Sequence, residues 1–201
     1  MQLPLPENEV ARLENLRSYA ILATPPEQAF DDLTRLAAYI CGTPIALIGF
    51  IDLDRQWFKS RIGWDVPEVP RDMSFCTHTI LQPDVLVISD TLKNKRFGAS
   101  PLATHGGIRF YADAPLISAE GYALGTLCVM DSVPRELTEG QTDALRKLAR
   151  QVMTQLKSRR RSISQTFPQA ASAEMAEGNT APRLRGTHSR MHQYSHRRYC
   201  A

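Results

Sequence analysis

Two couples of apolar or alternating runs, each joined by a turn of a few residues, most constrain what this chain can fold into. Residues 44–51 (PIALIGFI) are apolar at nearly every position, as a central strand covered on both faces is. Asp52-Leu53-Asp54 then makes a turn, and residues 55–62 (RQWFKSRI) alternate. Trp57, Lys59 and Arg61 fall on one face, and Phe58, Ser60 and Ile62 on the other. Residues 110–117 and 122–131 repeat the arrangement around Ser118-Ala119-Glu120-Gly121. Turns this short join only antiparallel neighbours. A further β-branched strand is predicted at 85–89.

Helical spacing flanks these strands. Val10, Leu13, Leu16, Arg17 and Ala20 predict a helix over 9–20, interrupted by Thr24-Pro25-Pro26-Glu27. Phe30, Leu33, Leu36, Ala37 and Ile40 form the stripe of a second helix over 26–41, which Gly42 stops. Residues 138–160 form the last helix, with Thr138 and Gln141 as a capping box and Leu145, Leu148, Ala149, Val152 and Leu156 as its apolar face. Between them, 63–72 reads as a loop, and 73–81 (MSFCTHTIL) as a short helix that Ser74 caps. Residues 90–107, with Asn94, Gly98, Pro101, Gly106 and Gly107, are irregular. A loop that long inside a compact domain has a task or is disordered. The expected fold class is α+β: one antiparallel sheet, helices collected on one face, and a short helix and long loop over the other. Such a layout leaves room for a small ligand between sheet and loop.

Charge separates body from tail. Residues 1–160 carry 18 basic and 19 acidic side chains, and 161–201 carry 6 and 2. The body has no basic field to draw nucleic acid. The longest apolar stretch falls far short of the roughly 20 residues that span a bilayer, and the N-terminus lacks the pattern of a signal peptide. Cys41, Cys76, Cys128 and Cys200 are scattered, which points to reduced thiols and a cytoplasmic protein. Large aliphatic residues nearly vanish after Arg161, so 161–201 is expected to be a flexible tail. His188, His192, His196 and Cys200 recur there every four residues. They would line one face of a helix that took up zinc or nickel, but nothing apolar accompanies them, and a solvated end is the expectation.

Three blocks together resemble a known family. ARLENLRSYAILATPPEQAFDDLTRLAAYICGTPIALIGFIDLDRQWFKSRIG, RDMSFCTHTIL and RFYADAPLISAEGYALGTLCVMD, followed by a helix opening LTEGQ, look like a GAF domain. The type is that found at the start of bacterial, often cyanobacterial, sensor kinases and diguanylate cyclases. The likeness covers about 7–158. It implies a GAF/PAS-like six-stranded antiparallel sheet with helices on its back and homodimerisation through the first and last helices. It also implies a signal leaving by the last helix. No kinase or cyclase block follows in the sequence, so two readings stay open: a stand-alone regulator whose kinase or cyclase output is on a partner chain, or a fragment of a longer gene.

The resemblance implies a non-catalytic sensor of two-component type that binds a small ligand or partner. The expected pocket residues are Phe75, Cys76, His78, Phe110, Ala112 and Asp113. Asp113 needs a partner if buried, for which Arg109 and His78 are the candidates. Ala112 and Ala114 are small and leave space near the sheet centre. Cys76 and His78 sit two apart and point to different sides of a helix, which disfavours joint metal ligation. No cofactor is assigned. Some GAF domains hold a bilin on a cysteine in the region corresponding to 90–107, and that loop has His105 but no cysteine. Asn94-Lys95-Arg96-Phe97 mimics the start of a cyclic-nucleotide signature, but Pro101 and Leu102 stand where its acidic pair belongs. Two other classes compete. One is a thiol-based reductase of free methionine sulfoxide, for which Cys76 lacks the usual partner cysteines in 63–72 and 90–107. The other is a scaffold whose pocket is filled by its own side chains.

Overall fold

A computed structural model describes residues 5–166. Of the tail expected at 161–201, residues 161–166 continue the last helix, and 167–201, with the histidines and Cys200, lie outside the described residues. Six strands form one antiparallel sheet in the order β3-β2-β1-β6-β5-β4. They are β1 (Ile45–Ile51), β2 (Arg55–Ile62), β3 (Glu68–Pro70), β4 (Leu86–Ile88), β5 (Phe110–Ile117) and β6 (Ala123–Asp131). The two hairpins of the sequence are thus β1–β2 and β5–β6, and β1 pairs with β6 to join them.

Helices α1 (Glu9–Ser18), α2 (Gln28–Cys41) and α5 (Glu139–Thr166) form the back layer. Their buried Leu16, Phe30, Ala37, Leu145, Val152 and Leu156 meet Ala46, Ile48, Phe50, Leu127 and Val129 of the sheet. Gly42 ends α2 in the left-handed region (φ 64°), which glycine enters without a Cβ penalty. A second glycine is required by close approach. A Cβ on Gly125 of β6 would sit 2.1 Å from the Gly49 carbonyl oxygen of β1. The last helix reaches Thr166 rather than Arg160, because no residue before Pro168 lacks the backbone N–H that a helix uses.

The front layer has little regular structure. One-turn helices α3 (Cys76–Thr79) and α4 (Pro101–Thr104), with 3-10 turns at Arg71–Met73 and Thr91–Lys93, form a roof. It closes a second core of Leu47, Ile51, Phe58, Phe75, Ile80, Phe97, Tyr111 and Met130. β3 lies within the predicted loop 63–72, and only three of its residues pair with β2. Ser74 does not cap α3. Its hydroxyl donates instead to Gln56 Oε1 at 2.5 Å, pinning the roof to β2.

The alternation read along 55–62 breaks at Lys59. Ile48 pairs with Ser60 and Gly49 with Phe58, so Lys59 is an extra residue in β2. That β-bulge inverts the faces beyond it. Ser60 turns to the helices, accepting from Thr34 Oγ1 at 2.8 Å and donating to Asp31 at 2.6 Å. Lys59 is buried and donates to Thr24 Oγ1, the Pro25 carbonyl and Glu27.

Candidate functional site

The sheet divides the six expected pocket residues. Along β5, odd-numbered Tyr111 faces the roof, while Phe110, Ala112 and Ala114 pack among the back helices. Phe110 and Ala112 are fully buried there, so they do not share a pocket with Phe75, Cys76 and Asp113. The small side chains at 112 and 114 admit the back helices rather than a ligand. The other four residues converge on Tyr111 and Phe97.

Phe75 stands edge-on to Phe97 and Tyr111, with ring centroids 4.9 and 5.2 Å away. His78 meets the Phe97 ring at 5.2 Å. Burial, aided by repulsion from Arg96, holds its pKa below the usual imidazole value. Cys76 and His78 do point apart: Cys76 is buried against the sheet and His78 is half-buried. Phe97 enters this core because Asn94 Oδ1 accepts from the backbone N–H of Arg96 and Phe97. The Asn94–Phe97 segment is therefore a turn that delivers a roof anchor. These aromatic rings occupy the space between sheet and roof.

Beneath them lies a buried polar cluster. Tyr111 Oη is 3.2 Å from Cys76 Sγ, 3.4 Å from Thr79 Oγ1 and in close contact with Asp113 Oδ2. Cys128 is opposite Asp113 on β6 and shares the front core with Cys76. Asp113 is thus partnered by Tyr111, two residues along the same strand. His78 stays in the roof, and Arg109 pairs with Asp90 at 2.9 Å. Gln56, Thr126 and Asp113 are buried around these groups.

A phenol has one proton, and it cannot go to both Asp113 and Cys76. The contacts are satisfied together when Asp113 keeps a proton and donates it to Tyr111 Oη, and Tyr111 donates to the Cys76 sulfur. Burial raises the Asp113 pKa well above the usual carboxylate range, and negative charge on Cys76 raises it further. Burial also disfavours the Cys76 thiolate, but the groups of Cys128, Thr126, Tyr111 and Gln56 outweigh it and bring the pKa to about 6. Donation to Cys76, with burial, pushes the Cys128 thiol up. Two negative charges this close in a buried site repel strongly, so the cluster carries at most one.

Sequence reasoning found Cys76 and Asp113 but not their partners Cys128, Thr126 and Gln56. Nothing in the sequence showed that Cys128 would lie beneath Cys76. Among the described residues no group of three or more His, Cys, Asp and Glu could hold a metal ion. No described helix is long and apolar enough to cross a membrane.

Two ion-pair networks connect this architecture to the terminal helices. Arg71, at the root of the roof, donates to Glu9 of α1 at 2.6 Å and to the Asp52 and Leu53 carbonyls. Glu9 also accepts from Arg12 at 2.7 and 2.8 Å. At the other end, Arg159 of α5 donates to Glu27, which also takes Lys59 of the bulge. Arg159 further donates to the Tyr19 and Ala20 carbonyls, where Ala20 and Ala23 have positive φ of 46° and 56°.

The GAF domain model matches residues 25–156. A cyclic di-GMP phosphodiesterase of Pseudomonas aeruginosa (PA2567) is 39% identical over 155 residues, or 76% of this chain. The matched segment is 26% of that relative's length. Among solved structures, a domain of a two-component sensor histidine kinase protein from Sinorhizobium meliloti superposes with TM-score 0.54 at 14% identity. The match covers 70% of this chain and 97% of that one. Free methionine-R-sulfoxide reductase from Neisseria meningitidis superposes with TM-score 0.56 at 13% identity, over 81% and 98% of the two chains. Likeness at such identities is likeness of fold. With the sheet order, the back helices and the matched residues in agreement, the chain belongs to the GAF domain family.

Proposed function

We propose that the chain is a non-catalytic sensory module. It responds to a small ligand or partner at the roofed face and signals through α1 and α5. The observation that carries this reading is the polar cluster beneath the roof. A buried phenol, carboxyl and thiol in contact on one sheet face, each with a shifted pKa, are what functional sites concentrate. The Arg71–Glu9 and Arg159–Glu27 pairs support the output side, since each ties a terminal helix to the segments around that face. A change of roof position then biases the helix ends, which is how two packings become two signalling states. Dimerisation through the terminal helices and a kinase, cyclase or phosphodiesterase output in the cytoplasm complete the proposal. The PA2567 relative, most of whose length lies outside the match, supports an attached or partnered output.

One observation favours a second reading, an interaction scaffold. Phe75, Phe97 and Tyr111 already fill the space under the roof, so a ligand must displace a ring. Native mass spectrometry of protein purified from its own host separates the two. A stoichiometric small molecule, lost in Asp113→Ala, is expected of a sensor; an empty domain with an unchanged roof favours the scaffold. Turnover of free methionine sulfoxide with a dithiol reductant, abolished by Cys76→Ser, would overturn both in favour of a reductase.

A further inference from the structure

We propose that Cys76 and Cys128 are a redox-modification site that closes to a disulfide when a small hydroperoxide enters, binding the roof to the central sheet. The inference rests on the roofed face being the regulatory one, and it names a regulation of that face. Two independent elements bring the sulfurs together. Cys76 opens α3, which packs on β5 and β6. Cys128 sits mid-β6, paired with Asp113 on one side and Leu47 on the other. Both thiols are free and buried in the one front core: Cys76 Sγ lies 3.2 Å from Tyr111 Oη, and Tyr111 Oη contacts Asp113, the residue paired with Cys128 across β5 and β6. Cys41 serves as an internal contrast. It ends α2 in the back core, and burial pushes its thiol up to about 11.

The surroundings supply what the chemistry needs. The Cys76 thiolate attacks one oxygen of the hydroperoxide; an S–O bond forms and the O–O bond breaks. The departing alkoxide or hydroxide takes the proton held by Asp113 and relayed through Tyr111, whose Oη is 3.2 Å from the sulfur. Cys128 then attacks the sulfenic sulfur. The S–S bond forms, the S–O bond breaks, and the hydroxide leaves as water with the Cys128 proton. Two thiols are oxidised, the hydroperoxide is reduced to an alcohol or water, and one further water is released. A dithiol reverses the bond by exchange. Entry requires the roof to open. Its one-turn helices and 3-10 turns belong to the class of segments that open locally before the sheet does.

The test uses the full-length chain, reduced, freed of reductant, treated with hydrogen peroxide, alkylated in denaturant and mapped by peptide mass spectrometry. A Cys76–Cys128 linked peptide is expected, with Cys41 alkylated and dithiothreitol restoring both thiols. Cys41→Ala leaves the yield unchanged. Cys128→Ala abolishes the link and leaves a dimedone-reactive sulfenic acid on Cys76. The proposal is overturned if both thiols stay alkylatable in peroxide-treated wild type, or if Cys76 links to Cys41 or Cys200. The wild-type map needs no variant to fold. It also needs no ligand or partner, so its failure leaves the sensor reading standing. An empty domain in the native spectrum likewise leaves the disulfide standing.

Discussion

Glu9 and Asp113 are both carboxylates in low-exposure settings, yet their environments push them in opposite directions. Burial works against Glu9 ionising, but the Arg12 and Arg71 guanidiniums beside it more than compensate and lower its pKa from the ordinary 4.5. Glu9 therefore adds stability that is fully present above about pH 4.5 and is lost as pH falls through its lower folded pKa. Urea midpoints measured down the acid range should fall there. Glu9→Gln should flatten that fall and cost about 3 kcal/mol at neutral pH, because two buried guanidiniums lose their one carboxylate. Asp113 has its pKa raised from 3.8, so it takes stability away as pH rises above that value. Asp113→Asn keeps the shape and removes the ionisable group, so the unfolded state no longer gains by ionising it. It should raise stability at pH 7 by about 1 kcal/mol, the usual reward for relaxing a functional site. A urea titration checks it, and a loss larger than that for Asp113→Ala would refute the charge argument. At this scale the sequence was half legible. It showed that a buried Asp113 needs a partner, but not that Tyr111 is that partner, since the candidates Arg109 and His78 are drawn off to Asp90 and Phe97 by tertiary packing.

Among elements, the bulge at Lys59 has the widest consequence. It places a buried ammonium against Glu27 and so lets β2, the α1–α2 connection and α5 share one carboxylate. Arg159→Ala should cost roughly 1–2 kcal/mol, as hydrogen bonds to a charged group do. Amide exchange at the last turns of α5 and around Ala20 should quicken about tenfold, the factor that 1.4 kcal/mol sets. Unchanged exchange would show that α5 does not depend on this latch. The two hairpins and three back helices were legible because their apolar residues recur with period 2 or 3.6. The roof was legible only as a short helix and a long loop over the front face, because Phe75 and Phe97 are single anchors on turns, and a turn has no period to read.

For the molecule as a whole, two layers of unequal regularity sandwich one sheet. The back layer has long helices and a large aliphatic core. The front has short turns, aromatic anchors and a buried polar cluster. Val10 on α1 is 74% exposed, and an isolated apolar residue on a terminal helix suits the proposed dimer. Val10→Asp should shift the sedimentation coefficient toward the monomer without lowering the urea midpoint of the folded domain. An unshifted dimer would place the interface elsewhere.

Local pattern was enough to specify an antiparallel α+β domain, its hairpins and the stripes of its back helices, since each depends on residues near one another in the chain. Which face each strand residue took, which carboxylate met which cation, and that Cys128 came to rest under Cys76 depended on packing. Those outcomes come from a bulge and from long-range pairing, and both act between residues that share no local periodicity.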